Sequence, residues 1–207
     1  MISMYIGSGD TTQLLSGVHT KGHHKLLRRF VSGVKPYYNA KASPIDALRT
    51  GAIIEERYEL ILSDNYYPQV KAICEQQNVL TCSIDFAKIE KGKVVDFQEL
   101  KSCSFNDFLE FEKFRNNPEK GVEYIKKKYK NNYRQLQEQL LCTGLESAEI
   151  VFVVVYTYDD EINYNRDIKE NEIIKFRIQR DETVIKMLLD KSNIFQQIKN
   201  TYHEQTN

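Results

Sequence analysis

The sequence predicts an α/β or α+β domain, a mixed central β-sheet flanked by helices. Three observations predict it. Residues 79–89 and 94–100 read as two strands joined by the polar turn Glu90-Lys91-Gly92-Lys93, with its glycine where a positive φ is needed. Residues 148–158 form a continuous apolar run, expected to be a central strand buried on both faces. Helical start signals stand around them, at Ser43-Pro44, Pro118 and Asp181-Glu182. At 207 residues the chain is long enough for one substantial core, so a single domain spanning 1–207 is expected.

In chain order, Ile6-Gly7-Ser8-Gly9-Asp10-Thr11-Thr12 leads into a short helical pattern from Gln13. Backbone amides at such a glycine-bearing start can hold a phosphate, while Asp10 or Thr11 acting as a simple N-cap is the plainer reading. Residues 21–30 are basic, with Leu26, Leu27 and Phe30 at helical spacing. His23-His24 has no further ligands nearby and carries no metal reading. Arg28 is the candidate for a terminal phosphate, because a guanidinium binds one bidentately, and the adjacent Arg29 is the alternative. Residues 35–42 read as a loop.

Ser43 as N-cap and Pro44 in the first turn open a helix over about 45–62. Leu48, Ala52, Glu55, Glu59 and Leu62 share one stripe of it, and Glu56 shares another with Ile45, Ile53 and Leu60. Periodicity does not separate Glu55 from Glu56. Gly51 in mid-helix costs about 1 kcal/mol against alanine, which points to close packing or DNA approach there. Residues 68–75 are expected to be a strand leading into the hairpin.

The hairpin carries the chemistry. Asp85 sits on its first strand and Glu99 near the end of the second, with Lys101 two residues on and therefore on the same face as Glu99. An antiparallel turn at Lys91-Gly92 brings Asp85 opposite the Gln98–Glu99 region. Acids inside strands are disfavoured, and a hard divalent cation with oxygen ligands would offset that cost. A lysine beside it can orient a water or stabilise a phosphate in flight. The alternative is a solvent-facing hairpin with a surface ion pair.

Beyond the hairpin, residues 105–114 read as helix and loop, and Pro118 starts one long helix to about residue 141. Its first half holds Lys126, Lys127, Lys128, Lys130 and Arg134, either a solvated face or a surface that tracks a DNA backbone. Its second half holds Gln135, and Gly144 closes it as a C-cap. Residues 159–167 read as a polar loop, and the stretch from Ile168 leaves strand and helix open. A terminal amphipathic helix is expected over about 181–198, with a frayed tail over 201–207.

Asp85 followed by Glu99-Leu100-Lys101 resembles the Asp…Glu-x-Lys signature of the PD-(D/E)xK nucleases, whose core is restriction-endonuclease-like. The wording around it, Ser83-Ile84-Asp85-Phe86 and Gln98-Glu99-Leu100-Lys101, is similar to the lambda-exonuclease-like, YqaJ-type viral recombinase branch. Arg49-Thr50-Gly51-Ala52-Ile53-Ile54-Glu55 resembles that branch's Arg-x-Gly…Glu helix, and Tyr133-Arg134-Gln135-Leu136-Gln137 through Thr143-Gly144 its Tyr-x-Gln-x-Gln…Thr-Gly helix. The resemblance covers residues 6–158. It implies a metal-dependent DNA exonuclease, running 5′ to 3′ on double-stranded ends for phage-type recombination. Asp85, Glu99 and the Leu100 carbonyl would ligate Mg²⁺, with Mn²⁺ able to substitute. Glu55 becomes the third acid, Lys101 acts on the attacking water, and Gln135 sits beside the active site. It places Ser8 near the DNA end, one position before the family's serine, which Gly9 replaces here. It also implies double-stranded DNA ends as partners, a single-strand annealing protein beside them, and assembly as a ring-shaped trimer. Restriction-type or structure-specific endonucleases of the same superfamily, or an idle DNA-binding protein with the fold retained, are the alternatives.

Composition narrows the classes. The chain is 41% hydrophobic and 28% charged with no net charge, so DNA affinity would have to come from local patches such as Arg28, Arg29 and Lys126 to Lys128. No apolar run reaches membrane-spanning length and the N-terminus lacks a signal-peptide layout, so a cytoplasmic protein without membrane partners is expected. Cys74, Cys82, Cys103 and Cys142 lack CxxC spacing and read as reduced thiols.

Overall fold

The computed structural model describes residues 4–32, 46–156 and 165–206. The expected loop at 35–42, the start signal Ser43-Pro44 and most of the loop at 159–167 lie outside these residues. In chain order the strands are β1 (Ile6–Gly7), β2 (Tyr66–Ile73), β3 (Leu80–Glu90), β4 (Lys93–Ser104), β5 (Ser147–Val155) and β6 (Ile173–Gln179). The helices are α1 (Thr11–Leu14), α2 (Lys21–Ser32), α3 (Asp46–Glu59), α4 (Phe105–Glu112), α5 (Pro118–Lys128), α6 (Lys130–Thr143) and α7 (Glu182–Thr206). A 3-10 turn, Ser8–Asp10, joins β1 to α1.

All six strands form one mixed sheet in the order β1-β3-β4-β5-β6, with β2 also paired to β3. The hairpin forms as expected. Lys91 and Gly92 turn it with φ of 50° and 76°, and β3 and β4 pair antiparallel through Phe86↔Gln98 and Lys88↔Asp96. β4 and β5 run parallel, Glu99 against Ile150 and Lys101 against Phe152, so β5 is interior and its apolar run is buried on both faces. The stretch left open after Ile168 resolves as the antiparallel strand β6, whose alternating buried and exposed residues fit one covered face.

The sheet has a core on each side. Phe97, Phe152, Val154 and Phe176 pack with Phe111 of α4, Ile125 of α5, Leu136 and Leu140 of α6, and Leu188 and Phe195 of α7. Leu100, Val151, Val153 and Val155 face the other way, onto Ile54 and Tyr58 of α3. A Cβ on Gly121 would fall on the Phe176 ring, which explains how α5 lies so close to β6.

Three expectations need correction. The helix from Pro118 is two helices, bent at Tyr129 (φ −109°, ψ 41°) without a proline or glycine. Tertiary packing bends it: the Tyr129 ring lies against Phe111 and Phe152. The lysine run then closes α5, where cations suit the C-terminal end of the helix dipole. The terminal helix does not end near residue 198 but continues to Thr206, and Phe195 anchors it against Phe30 and His23 of α2. Of the two readings of Gly51, close packing is not seen among the described residues, since a Cβ there would meet none of their atoms within 4 Å. Among the described residues no helix is long and apolar enough to cross a membrane.

Candidate active site

β3 and β4 stop pairing at Phe86↔Gln98. The next facing pair would be Asp85 and Glu99, and here the strands part. On its other edge β3 keeps β2 through Ile73↔Thr81, so β1, which also pairs with Thr81, occupies the edge from which β4 has departed. Asp85 bridges the opening: the Leu100 amide donates to its Oδ2 at 2.8 Å, replacing a lost ladder bond. A residue in a strand sends its N–H and C=O to the same edge, so the Leu100 carbonyl also faces the gap.

Glu99 is 1% exposed, and three donors converge on its carboxylate. Lys101 Nζ donates to Oε1 at 2.5 Å, Gln135 Nε2 to Oε1 at 2.6 Å, and Gln139 Nε2 to Oε2 at 2.6 Å. Charge-assisted bonds of this kind are the strong ones, and they hold the side chain in one orientation. Gln139 also donates to the Ser83 carbonyl at 2.9 Å, tying α6 to β3. Sequence reasoning found Gln135 and passed over Gln139. The available signal was their i, i+4 spacing, which puts both amides on one helix face.

Lys101 lies among acids. Burial disfavours its charge, but Glu99, Asp85 and Glu55 outweigh burial and hold the ammonium above the usual lysine value. Burial, then the charges of Glu99 and Glu55, push the Asp85 carboxyl well above its ordinary range, with Lys101 and the Leu100 amide pulling the other way. Glu55 arrives from α3. Burial and the nearby Glu99 raise its carboxyl against the pull of Lys101 and a 3.0 Å bond from Gln69 Nε2. Glu56 is exposed. Periodicity left the two glutamates level, and the structure brings Glu55 to the site.

Gln69 faces Asp85 on β2, at a position skipped in the ladder between Pro68↔Phe86 and Val70↔Ile84. Its φ is 52°, a conformation rare outside glycine and common at functional sites. Its amide bridges Glu55 and Ser83, whose Oγ donates to Oε1 at 3.1 Å. Only Pro68, which marks an edge or irregular strand position, hinted at this in the sequence.

The expected DNA-contacting residues are more dispersed. Ser8 is buried in the 3-10 turn, and Gly9 beside it is exposed. Asp10 caps α1 by position but makes no side-chain capping bond, and pairs instead with Arg29 at 2.5 Å. Arg28 is exposed on α2. Lys126 lies 3.6 Å from Glu123 and 3.9 Å from Asp181, Lys128 lies 2.8 Å from Asp107, and Lys127 projects outward. The lysine run is therefore not one open basic face. His23 is a core residue, its pKa lowered chiefly by burial.

A mixed sheet is thus covered by helices on both sides, with Asp85, Glu99 and Lys101 gathered where its hairpin opens. Solved structures agree at the level of fold. LHK-Exo in complex with dAMP matches with a TM-score of 0.60 at 15% identity, over 99% of this chain and 93% of that one. The alkaline exonuclease LHK-Exo from Laribacter hongkongensis matches at 0.58 and 15%, covering 99% and 94%. A phage-related exonuclease from Haemophilus somnus 129PT matches at 0.57 and 12%, covering 99% and 97%. No protein-family model and no curated protein matches the sequence.

Proposed function

We propose that this chain is a Mg²⁺-dependent deoxyribonuclease that degrades double-stranded DNA from its ends, 5′ to 3′, leaving a single strand for recombination. The observation that carries it is the convergence of Asp85, Glu99 and Lys101 at the parting of β3 and β4, with Glu99 held by Gln135 and Gln139. The similar solved structures support the reading, since they are described as exonucleases.

Among the described residues no three acidic, histidine or cysteine side chains stand as a ready metal cage. The donor chemistry nevertheless fits a hard cation. Asp85, Glu99 and Glu55 gather around one lysine, and burial chiefly, with the neighbouring acids adding to it, raises the Asp85 and Glu55 carboxyls. Asp85, Glu99 and the Leu100 carbonyl would hold Mg²⁺ with Glu55 assisting, and the ion would supply Lewis-acid polarisation and a more acidic water. Lys101, held charged, would orient the water and stabilise charge that develops on the phosphate oxygens. Gln135 and Gln139 would keep Glu99 aimed while the substrate is exchanged.

End-labelled linear duplex and closed circular duplex, each with Mg²⁺ and with EDTA, test the reading. Linear DNA should be degraded in Mg²⁺ alone and the circle left intact. Cutting of the circle would make the enzyme an endonuclease of the same fold, and activity in EDTA would remove the metal role.

End recognition is a separate expectation. Arg28 is exposed on α2, whereas Arg29 is paired with Asp10 of the N-terminal turn. Duplex bearing a 5′-phosphate should be degraded faster than 5′-hydroxyl duplex, and Arg28→Ala should shrink the difference more than Arg29→Ala does. Equal rates on both ends would discard the phosphate role and leave the nuclease reading standing.

A further inference from the structure

Glu138 lies on α6 beside Gln139, yet it plays no part in the site described above. It is fully buried and meets the N-terminal turn. Thr11 Oγ1 stands 2.5 Å from Glu138 Oε2 and 2.5 Å from the Ser8 carbonyl oxygen. A carbonyl only accepts, and a hydroxyl has one proton to give. Two full two-centre hydrogen bonds form when Thr11 gives its proton to Ser8 and Glu138 supplies the other; the alternative is one Thr11 proton shared between two acceptors. Glu138 Oε1 is buried without a partner, which costs far less for the carbonyl of a neutral acid than for half of a carboxylate.

The ionisable groups around it do not favour an anion. They are Asp10 on the turn, already paired with Arg29, and the thiols of Cys74 at the end of β2 and Cys142 one turn along α6. Among the described residues no cation pairs with Glu138.

We propose that Glu138 is held as a neutral carboxylic acid that donates to Thr11, and that this buried latch fixes the Ser8–Asp10 turn and α1 to the helix carrying Gln135 and Gln139. Glu138 is a positioning residue that acts through Thr11. Burial chiefly, with Asp10 and Cys74 adding to it, raises its pKa to about 8, and a bond given by the neutral acid to Thr11 acts in the same direction. The folded pKa lies above the ordinary 4.5, so the protonated form is the one the fold favours. Latch stability is complete below about 4.5, falls by roughly tenfold in equilibrium constant per pH unit up to about 8, and levels off above. Past that point an unpaired carboxylate is buried beside Asp10, and the turn is released. On the exonuclease reading, which this part rests on, the latch sets the distance between the segment that meets the DNA end and the amides that hold Glu99.

Carboxyl NMR of protein labelled with ¹³C at glutamate Cδ reads the proton directly and needs no nuclease activity. One resonance should titrate near pH 8, remain in Glu55→Gln and vanish in Glu138→Gln. The isosteric Glu138→Gln keeps a donor for Thr11, so hydrogen-exchange protection over residues 6–15 should be equal at pH 6.5 and 9.5 in the variant and should drop at 9.5 in the wild type. A Glu138 resonance titrating in the ordinary carboxylate range overturns the proposal, as does the same pH response in both proteins. If Glu138→Gln fails to fold, the wild-type titration and a Thr11→Val variant that loses protection at pH 6.5 still decide it. Loss of 5′-phosphate preference at pH 9.5 in the wild type but not in Glu138→Gln extends the latch to function. Absence of any such preference at either pH, with the NMR titration as expected, would count against the end-recognition reading and leave the latch in place.

Discussion

Asp85→Asn should abolish Mg²⁺-dependent cleavage, by roughly 10³-fold or more, while making the metal-free protein more stable. The two effects have opposite signs for one reason. Asn keeps an oxygen that can accept from the Leu100 amide, so the bridge across the strand opening survives. It removes an acid that burial and two neighbouring carboxylates hold well above its ordinary pKa. A carboxyl whose folded pKa is raised costs stability as pH climbs from its unfolded value through its folded one. At neutral pH in EDTA the variant should therefore melt higher than the wild type. Mg²⁺ should reverse the order, since a ligand at about 100 times its Kd stabilises by about 2.7 kcal/mol and only the wild type keeps the full donor set. Glu99→Gln should be equally inactive but less well tolerated, because its amide nitrogen would meet one of the donors from Lys101, Gln135 or Gln139. Melting curves with and without Mg²⁺, beside single-turnover rates, test this. Substantial activity in both variants would show that the hairpin is not the active site.

Lys101→Ala should lower turnover by roughly 10²–10⁴-fold and barely change DNA affinity measured in Ca²⁺. Its ammonium sits 2.5 Å from Glu99 Oε1 and is held charged by three carboxylates, so it is placed to act where charge develops rather than along the ground-state backbone. Removing it leaves Glu99 buried with two amide donors and no cation. Losing one partner of a buried pair costs up to about 3–5 kcal/mol. The melting temperature in EDTA should fall accordingly and recover in Mg²⁺. A variant that lost binding but cleaved normally at saturating DNA would make Lys101 a phosphate anchor and defeat the catalytic reading.

Local features determined much of this protein from the sequence alone. A register shift between Lys88 and Ile89 came only with the folded sheet. Alternation nonetheless fixed Glu99 and Lys101 on one face, the polar turn fixed the facing residues of β3 and β4 to within one position, and the apolar run at 148–158 marked the interior strand β5. These are properties of neighbours in the chain, and strand pleat and turn geometry settle them before any packing. The resemblance on Arg49 to Glu55 selected Glu55, and the structure brings it beside Lys101. Tertiary structure decided the rest. The bend at Tyr129 comes from two rings on other elements, and no local signal announces it. Whether a lysine in the run 126–128 is open or paired depends on Asp107 and Asp181, which the fold brings from α4 and from the start of α7. Gln139, Gln69 and Glu138 look like ordinary polar residues of a helix or an edge strand. They become a carboxylate clamp, a strained bridge and a buried acid only when α6, β2 and the N-terminal turn meet. Side-chain polarity is written in the sequence, but burial and the identity of a distant hydrogen-bond partner are not. Those two quantities raise the Asp85 and Glu55 carboxyls and fix the orientation of Glu99.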